Sequence, residues 1–205
     1  KLGKNCHYFF GDLTKKDDIN TFIYQGTKKF KKIDAAIHCA YPKSKKWGTK
    51  FENLDSNHLN QDLIKQLGGA IIFSQGFMQY FSKRKKGNLI HVSSIQGVAS
   101  PKFEHYENTK MISPIEYSAI KSGIISITSY LAKYYRNKNI RVNCISPGGI
   151  KGNQESKFKK KYRKSCTSKG LLDSNDLTGT ILFLLSDNSK FINGQNLIVD
   201  DGWSL

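Results

Sequence analysis

The order of apolar and amphipathic segments is the feature that most restricts the fold of this 205-residue chain. Short apolar runs at residues 6–10, 33–39, 88–92, 140–145 and 197–199 have the length and composition of buried strands. Helical patterns alternate with them, at residues 17–32, 61–81, 114–135, 157–164 and 176–185. With no internal repeat and no linker, this alternation predicts a single α/β domain over residues 1–205, whose doubly wound parallel sheet is covered on both faces.

Composition places the chain among globular proteins. It is 38% hydrophobic and 12% aromatic, and no apolar run reaches the roughly 20 residues that a membrane span requires. The first residues lack the layout of a signal peptide. The four cysteines (Cys6, Cys39, Cys144 and Cys166) are dispersed and lack the spacing of a zinc site. We therefore expect reduced thiols, no metal and a cytoplasmic protein.

The formal net charge of +17 at pH 7 has two interpretations. One is an anionic partner, either nucleic acid or a phosphorylated substrate. The other is general composition, because lysines are spread over residues 28–32, 43–50, 83–86 and 157–164. We prefer the second, since a solvated lysine face costs little and no nucleic-acid-binding motif accompanies it. The sequence therefore predicts neither a nucleic-acid nor a membrane partner.

Polar and small residues directly follow several of the predicted strands. They are Asp12, residues 38–41, Ser93 with Ser94, and the turn Pro147-Gly148-Gly149-Ile150. Parallel α/β sheets bind their ligands at the carboxyl ends of the strands. These positions are therefore the candidates for a ligand-binding site.

Tyr117 and Lys121 lie one turn apart on the predicted helix 114–135, so their side chains share one face. A nearby ammonium stabilises a phenolate and lowers the pKa of a tyrosine from about 10 towards the working pH. Such a tyrosine can exchange a proton with an alcohol or carbonyl oxygen, to which a serine hydroxyl can also hydrogen-bond. Hydride has to come from a cofactor, because no side chain donates it. The combination predicts an oxidoreductase.

The Tyr-x-x-x-Lys spacing alone is not specific in a lysine-rich chain. It occurs five times, at Tyr24/Lys28, Tyr41/Lys45, Tyr106/Lys110, Tyr117/Lys121 and Tyr134/Lys138. Tyr106 is the main rival, but its segment has little apolar periodicity and ends at Pro114, which predicts a loop. Tyr117 begins a helix beside the small residues Ala119 and Gly123, which would let a cofactor approach. We therefore favour Tyr117.

Along nearly its whole length the chain resembles the short-chain dehydrogenase/reductases. The family's serine strand is matched by GNLIHVSSIQG, its active-site helix by YSAIKSG, and its Pro-Gly turn by RVNCISPGGI. Its Asn-Asn-Ala-Gly segment is matched by IDAAIHCAYP, and its C-terminal segment by GQNLIVDDGWSL. The 30 residues from Tyr117 to Pro147 are close to the family's spacing, which supports Tyr117 over Tyr106. A looser resemblance is to the dehydrogenases of flagellin-modification and nonulosonate-sugar clusters.

The resemblance implies a Rossmann-like fold and a role for each matched residue. Tyr117 would be the acid/base, Ser94 the hydroxyl that polarises the substrate oxygen, and Lys121 the group that lowers the tyrosine pKa and binds the nicotinamide ribose. Gln66 stands where the family usually has a catalytic Asn. NAD or NADP would be the cofactor, with Asp12 contacting its adenine. The implied cofactor-binding residues are Asp12, Leu13, His38, Ala40, Tyr117, Lys121, Pro147, Gly148, Gly149 and Ile150.

The implied function is the NAD(P)-dependent interconversion of an alcohol and a ketone on a small-molecule substrate. An anionic substrate, such as a nucleotide-activated or phosphorylated sugar, would suit the basic segment 157–164, which lies where the family has its substrate loop. The same segment equally fits a row of solvated lysines. The family also suggests a homodimer or homotetramer formed through the helices at 61–81 and 117–135.

The chain departs from the family pattern in several places. The Gly-rich phosphate loop and the first two strands are absent, which in a doubly wound sheet would leave residues 6–10 without a neighbour. We expect a fragment of a longer chain; the alternative is a truncated, catalytically inactive Rossmann-like binding or scaffold protein. Gly152 stands where the family has a cofactor-side Thr. His38 and Cys39 replace the paired Asn, and a single His at a strand end is more typical of packing than of a ligand.

Overall fold

The computed structural model describes residues 5–205, and its centre is one parallel sheet. Its strands are β1 (Ala35–His38), β2 (Gly87–Val92), β3 (Ile140–Pro147) and β4 (Asn196–Val199). They lie side by side in chain order, β1-β2-β3-β4, and every pair is parallel. The predicted α/β fold with a parallel sheet is confirmed.

Helices connect and cover these strands. They are α1 (Lys16–Phe30), α2 (Ser56–Asp62), α3 (Gly69–Arg84), α4 (Ile115–Tyr134), α5 (Ser156–Lys164) and α6 (Thr178–Leu185). A π-helical segment, Leu63–Gly68, joins α2 to α3, so the helix predicted at 61–81 belongs to a longer helical stretch that begins at Ser56. Asp55 stabilises that beginning, since its carboxylate accepts a hydrogen bond of 3.0 Å from the His58 N–H.

The two faces of the sheet have separate cores, because side chains alternate along a strand. Leu89 and Val142 are paired in the register and face α1 and α3, where they pack with Phe73 and Phe77. Ile90, the next residue along β2, packs on the opposite face with Leu184 of α6 and with Leu177, which directly precedes that helix. The two cores hold the strands between the helices, and the strands in turn position the residues that follow them.

Residues 6–10 form no strand in the structure, in contrast to the sequence prediction. A strand requires a partner for its backbone N–H and C=O groups, and among the described residues no strand of the sheet pairs with this segment. Its side chains pack instead, with the Phe9 ring stacked on Phe22 of α1 at 5.5 Å between centroids. Across residues 5–205, no helix combines the length and the apolar character that crossing a bilayer demands.

Candidate active site

Three hydrogen bonds connect the end of β2 and the turn that follows it to α4. The Ser93 hydroxyl donates to the Lys121 carbonyl at 2.7 Å, and the Lys121 ammonium donates to the Val92 carbonyl at 3.1 Å. One residue further on, the Ser122 hydroxyl donates to the Gly97 carbonyl at 2.9 Å. Strand and helix therefore cross closely at the point where the polar side chains begin.

A cavity of about 580 Å³ opens above this crossing, at the carboxyl ends of the strands. We call it the reaction cavity. It brings together seven of the residues singled out from the sequence: Ser94, Tyr117, Lys121, Pro147, Gly148, Gly149 and Ile150. A hydroxyl, a phenol and an ammonium thus face one enclosed space, which is the set of groups needed to hold an oxygen and move its proton.

Burial dominates the electrostatics of Tyr117 and Lys121. It raises the pKa of Tyr117 above its usual value, and the Ser94 side chain acts against this by hydrogen bonding. Burial also lowers the pKa of Lys121 to about 8. The expectation that Lys121 lowers the tyrosine pKa is therefore not met in this arrangement. The ammonium lies 5.6 Å from the centre of the Tyr117 ring, and desolvation of the phenolate has the larger effect.

Two aromatic side chains from the β1–α2 connection complete the wall around Tyr117. The Tyr41 ring meets the Tyr117 ring edge-on at 5.4 Å, and Trp47 contacts both rings in the same manner. The Lys121 ammonium lies 5.5 Å from the Tyr41 ring as well, between two aromatic faces. Sequence reasoning placed Tyr41 at a strand end but gave it no role, and Trp47 carried no motif that could have identified it.

The Pro-Gly turn after β3 rests on a second aromatic group. The Tyr162 hydroxyl of α5 accepts a hydrogen bond of 2.6 Å from the Gly149 N–H, and burial raises the pKa of this phenol. The Tyr162 ring stacks on Trp203 with 5.8 Å between centroids. A side chain at Gly149 would collide with Leu171, whose Cδ2 lies 2.5 Å from the position of a Cβ atom. The turn is therefore held in place by packing from α5 and the C-terminal segment.

The remaining residues predicted for the site lie outside the reaction cavity. Asp12 is exposed, and its carboxylate accepts hydrogen bonds of 2.9 and 2.7 Å from the N–H and hydroxyl of Thr14, which lower its pKa. Leu13 packs against the core of α1 and α3. Ala40 is half-buried between Cys39 and Tyr41, which do line the cavity.

Two of these residues are buried in the protein interior. The His38 side chain packs on Phe73 at 5.1 Å between ring centroids, and burial lowers its pKa to about 4. Its placement is that of a packed strand-end residue, as its sequence context indicated. Gln66 lies in the π-helical segment, and its Nε2 donates to the Pro42 carbonyl at 2.8 Å. The amide thus holds the loop after β1 against the helix.

The basic segment 157–164 has a structural use that the sequence did not reveal. The Lys161 ammonium donates to the Glu104 carbonyl at 2.6 Å, and the Lys159 ammonium to the Gly152 carbonyl at 3.1 Å. Neither lysine lines the reaction cavity. The cations that do are Lys43 and Lys121, and no carboxylate side chain is among the described residues that line it. The cavity itself therefore favours negative charge.

Tyr106, the rival tyrosine, lies in a loop as predicted, after the short 3₁₀ turn Phe103–His105. Its side chain nevertheless reaches the reaction cavity. Its hydroxyl accepts a hydrogen bond of 3.0 Å from Nε2 of Gln96, and burial raises its pKa. Among the described residues no ammonium lies over the Tyr106 ring, whereas the Lys121 ammonium lies 5.6 Å from the centre of the Tyr117 ring.

Comparison with known proteins agrees with this geometry. A family model described as enoyl-(acyl carrier protein) reductase matches residues 1–204. The chain is 49% identical over 195 residues to the post-translational flagellin modification protein A of Campylobacter coli, which covers 95% of this chain and 76% of that protein. It is 27% identical over 183 residues to the 7alpha-hydroxysteroid dehydrogenase of Bacteroides fragilis, covering 87% and 67% of the two chains.

A solved structure has the same architecture. The crystal structure of a short-chain dehydrogenase from Leptospira borgpetersenii with bound NAD+ superposes with a TM-score of 0.86 at 33% identity. The match covers 95% of this chain and 74% of that one. The family match over the full length, the similarity of sequence and the shared fold agree. The chain belongs to the short-chain dehydrogenase/reductase family.

Proposed function

We propose that this protein is an NAD(P)-dependent oxidoreductase that interconverts an alcohol and a ketone. The observation that carries the proposal is the convergence of Ser94, Tyr117 and Lys121 on one cavity at the carboxyl ends of the strands. Two relatives support it: the Leptospira structure contains NAD+, and the Bacteroides relative is a dehydrogenase of a hydroxylated compound. The alternative, a catalytically inactive scaffold, would need none of these groups to share a cavity.

The roles of the three residues follow from their chemistry. When bound, a nicotinamide cofactor would supply or accept the hydride. Tyr117 holds the proton that passes to the carbonyl oxygen during reduction, and takes it back during oxidation. The phenol is protonated at neutral pH, as a proton donor has to be, because its pKa lies above the usual value of about 10. Ser94 orients the same oxygen by hydrogen bonding, and the Lys121 ammonium provides positive charge beside the phenol.

The groups around the reaction cavity fit the nicotinamide end of such a cofactor. Among the described residues, the Lys121 ammonium has the Val92 carbonyl as its hydrogen-bond acceptor, which leaves N–H groups for the hydroxyls of a ribose. The backbone from Pro147 to Ile150 lines the same side of the cavity. We include Lys121 and this turn in the cofactor site, and propose NAD or NADP as the ligand.

For the substrate we propose an anionic small molecule, with phosphorylated or nucleotide-activated sugars as the class to test first. The support is the charge of the reaction cavity, in which Lys43 and Lys121 stand without a neighbouring carboxylate among the lining residues. Lys43 supplies the positive charge for an anionic substrate that the sequence suggested for the basic segment 157–164. The similarity to a flagellin modification protein is compatible with a role in surface modification.

We also propose a homodimer or homotetramer formed through α3 and α4. The support is a row of large side chains that these helices leave exposed, with Ile71 48%, Tyr130 64% and Tyr134 67% exposed. A contact between copies would cover them. Light scattering at several protein concentrations measures the assembly directly.

The test of the function compares Tyr117→Phe with Tyr24→Phe. Tyr24 has the same spacing to a lysine, but lies on α1 outside the reaction cavity. We expect Tyr117→Phe to lose about 10²- to 10⁴-fold in turnover and to keep its affinity for NADH or NADPH, measured by fluorescence titration. Tyr24→Phe should match the parent. Retained turnover in Tyr117→Phe would refute its role, and an intact gene product that binds neither cofactor would favour the inactive alternative.

A further inference from the structure

A second cavity, of about 510 Å³, lies beside the reaction cavity. We call it the side pocket. Two stretches of chain form it: the short 3₁₀ turn Phe51–Asn53 with its neighbour Lys50, and the loop that runs from Ser100 into the first turns of α4. Its main apolar side chains are Phe51, Pro101, Phe103, Met111, Ile112 and Ile115. None of these residues has been given a role above.

The side pocket concentrates apolar surface that the protein leaves uncovered. Phe51 is 66% exposed, Phe103 64% and Ile115 49%. A single exposed apolar residue is ordinary, but several around one concave surface are typical of a binding site. The surface therefore suits an apolar ligand group.

The side pocket continues into the reaction cavity. Five residues line both spaces: Tyr106, Met111, Ile112, Ser113 and Pro114. On α4 the two spaces meet at adjacent residues, since Tyr117 lines the reaction cavity and Ser118 lines the side pocket. A molecule whose oxygen lies at Tyr117 can therefore extend directly into the side pocket.

The polar groups in the shared wall are already satisfied by one another. The Ser113 hydroxyl donates to Oε1 of Gln96 at 2.7 Å, and Nε2 of Gln96 donates to the Tyr106 hydroxyl at 3.0 Å. A ligand is not needed to complete these hydrogen bonds. An apolar group can therefore lie against these residues, between the two cavities, without leaving buried polar atoms unpaired.

We propose that the side pocket binds an apolar limb of the substrate, attached near the carbon that carries the reacting oxygen. The chemical class is a substrate with an alkyl or acyl substituent, in addition to the negative charge proposed for the part near Lys43. The inference rests on the proposed function, because it takes the position of the substrate from Tyr117. It adds a specificity determinant, formed by Phe103, Ile112 and Ile115, that acts through burial of apolar surface.

The test measures the dependence of binding on chain length, without cofactor or turnover. The fluorescent probe 1-anilinonaphthalene-8-sulfonate is bound to the protein and displaced by 1-butanol, 1-hexanol and 1-octanol. Each buried methylene should tighten binding about fourfold, so octanol should displace the probe roughly 250-fold more effectively than butanol. Ile112→Asp places a charge in the pocket and should remove most of this dependence. Phe191→Asp, at a residue that is 91% exposed elsewhere on the surface, should keep it.

Ile115→Asp is the second variant, should Ile112→Asp fail to fold by circular dichroism. An acidic residue is favourable at the first position of α4. The same chain-length dependence in parent, pocket variant and Phe191→Asp would overturn the proposal. So would an Ile112→Asp or Ile115→Asp protein whose oligomer dissociates while its chain-length dependence is kept, since the apolar surface would then be a contact between copies. An intact gene product without cofactor binding or turnover refutes the proposed function instead, and leaves the binding measurement intact.

Discussion

A methyl group added at Gly97 tests how closely β2 and α4 must approach for the active site to form. Gly97 is the last residue of the 3₁₀ turn Ile95–Gly97. Ser94 caps the start of this turn, and its side chain accepts a hydrogen bond of 3.2 Å from the Gln96 N–H. A Cβ atom at Gly97 would lie 2.7 Å from the carbonyl carbon of Lys121 and 2.9 Å from the nitrogen of Ser122. These are backbone atoms, so no side chain can rotate out of the way.

The magnitude follows from the size of this overlap. Carbon atoms pack at about 3.5–4.0 Å, so Gly97→Ala has to move the turn away from α4 by close to 1 Å. Overpacking of this kind costs about 1–3 kcal/mol in the free energy of unfolding. The displacement also carries Ser94 away from Lys121, and a misplacement of about 1 Å in an active site can cost about 10²-fold in rate. We expect both losses in one variant.

Urea unfolding and steady-state turnover measure the two effects, with Gly179→Ala as the matched control. Gly179 lies in α6 with no atom within 4 Å of its added Cβ, so alanine should stabilise that helix by up to about 1 kcal/mol and leave turnover unchanged. A Gly97→Ala protein as stable and as active as the parent would refute the close approach of β2 and α4. Equal destabilisation by both substitutions would show that the effect belongs to glycine in general.

Three further predictions concern titration and loop order. Burial lowers the pKa of His38 to about 4 and of His91 to about 3. Both values lie below the unfolded value, so stability is lost as the pH falls below about 6.5, with a slope near 2.5 kcal/mol per pH unit at pH 5. His38→Leu should roughly halve that slope, measured by urea unfolding at a series of pH values. The lowered pKa of Lys121 acts in the same direction in an alkaline window. The buried ammonium is a cost below about pH 8 that is relieved as the pH rises towards 10.5, so the parent should gain stability relative to Lys121→Met by up to about 3 kcal/mol. Asp201→Asn should speed the exchange of the Ser168 and Gly170 amide hydrogens, whose N–H groups donate to that carboxylate at 3.1 and 2.6 Å.

The parts of the site that could be predicted are those fixed by backbone topology. Parallel strands end at one edge of a sheet, so Ser94 after β2 and the Pro147 turn after β3 had to lie near one another once the alternating pattern was recognised. Tyr117 and Lys121 share a helix face whatever the tertiary structure. These residues line one cavity in the structure.

The parts that could not be predicted depend on side-chain packing. Trp47 and Tyr162 reach the cavity from a loop and from α5, and no periodicity indicates the direction of a single aromatic ring. The direction of the Tyr117 pKa shift depends on how much water burial removes, which no sequence spacing reports. Residues 6–10 have strand-like composition, yet strand formation also requires a neighbouring edge.

The five Tyr-x-x-x-Lys pairs show why the crossing of β2 and α4 matters more than the motif. Every pair on a helix shares one face, yet the lysine of the Tyr117 pair is the one whose carbonyl accepts from Ser93 and whose ammonium donates to Val92. Those bonds need the backbones of strand and helix in close contact, which the glycine at position 97 permits. The chemistry at Tyr117 therefore depends on a residue that has no reactive group, and Gly97→Ala should impair it while every polar side chain of the site is retained.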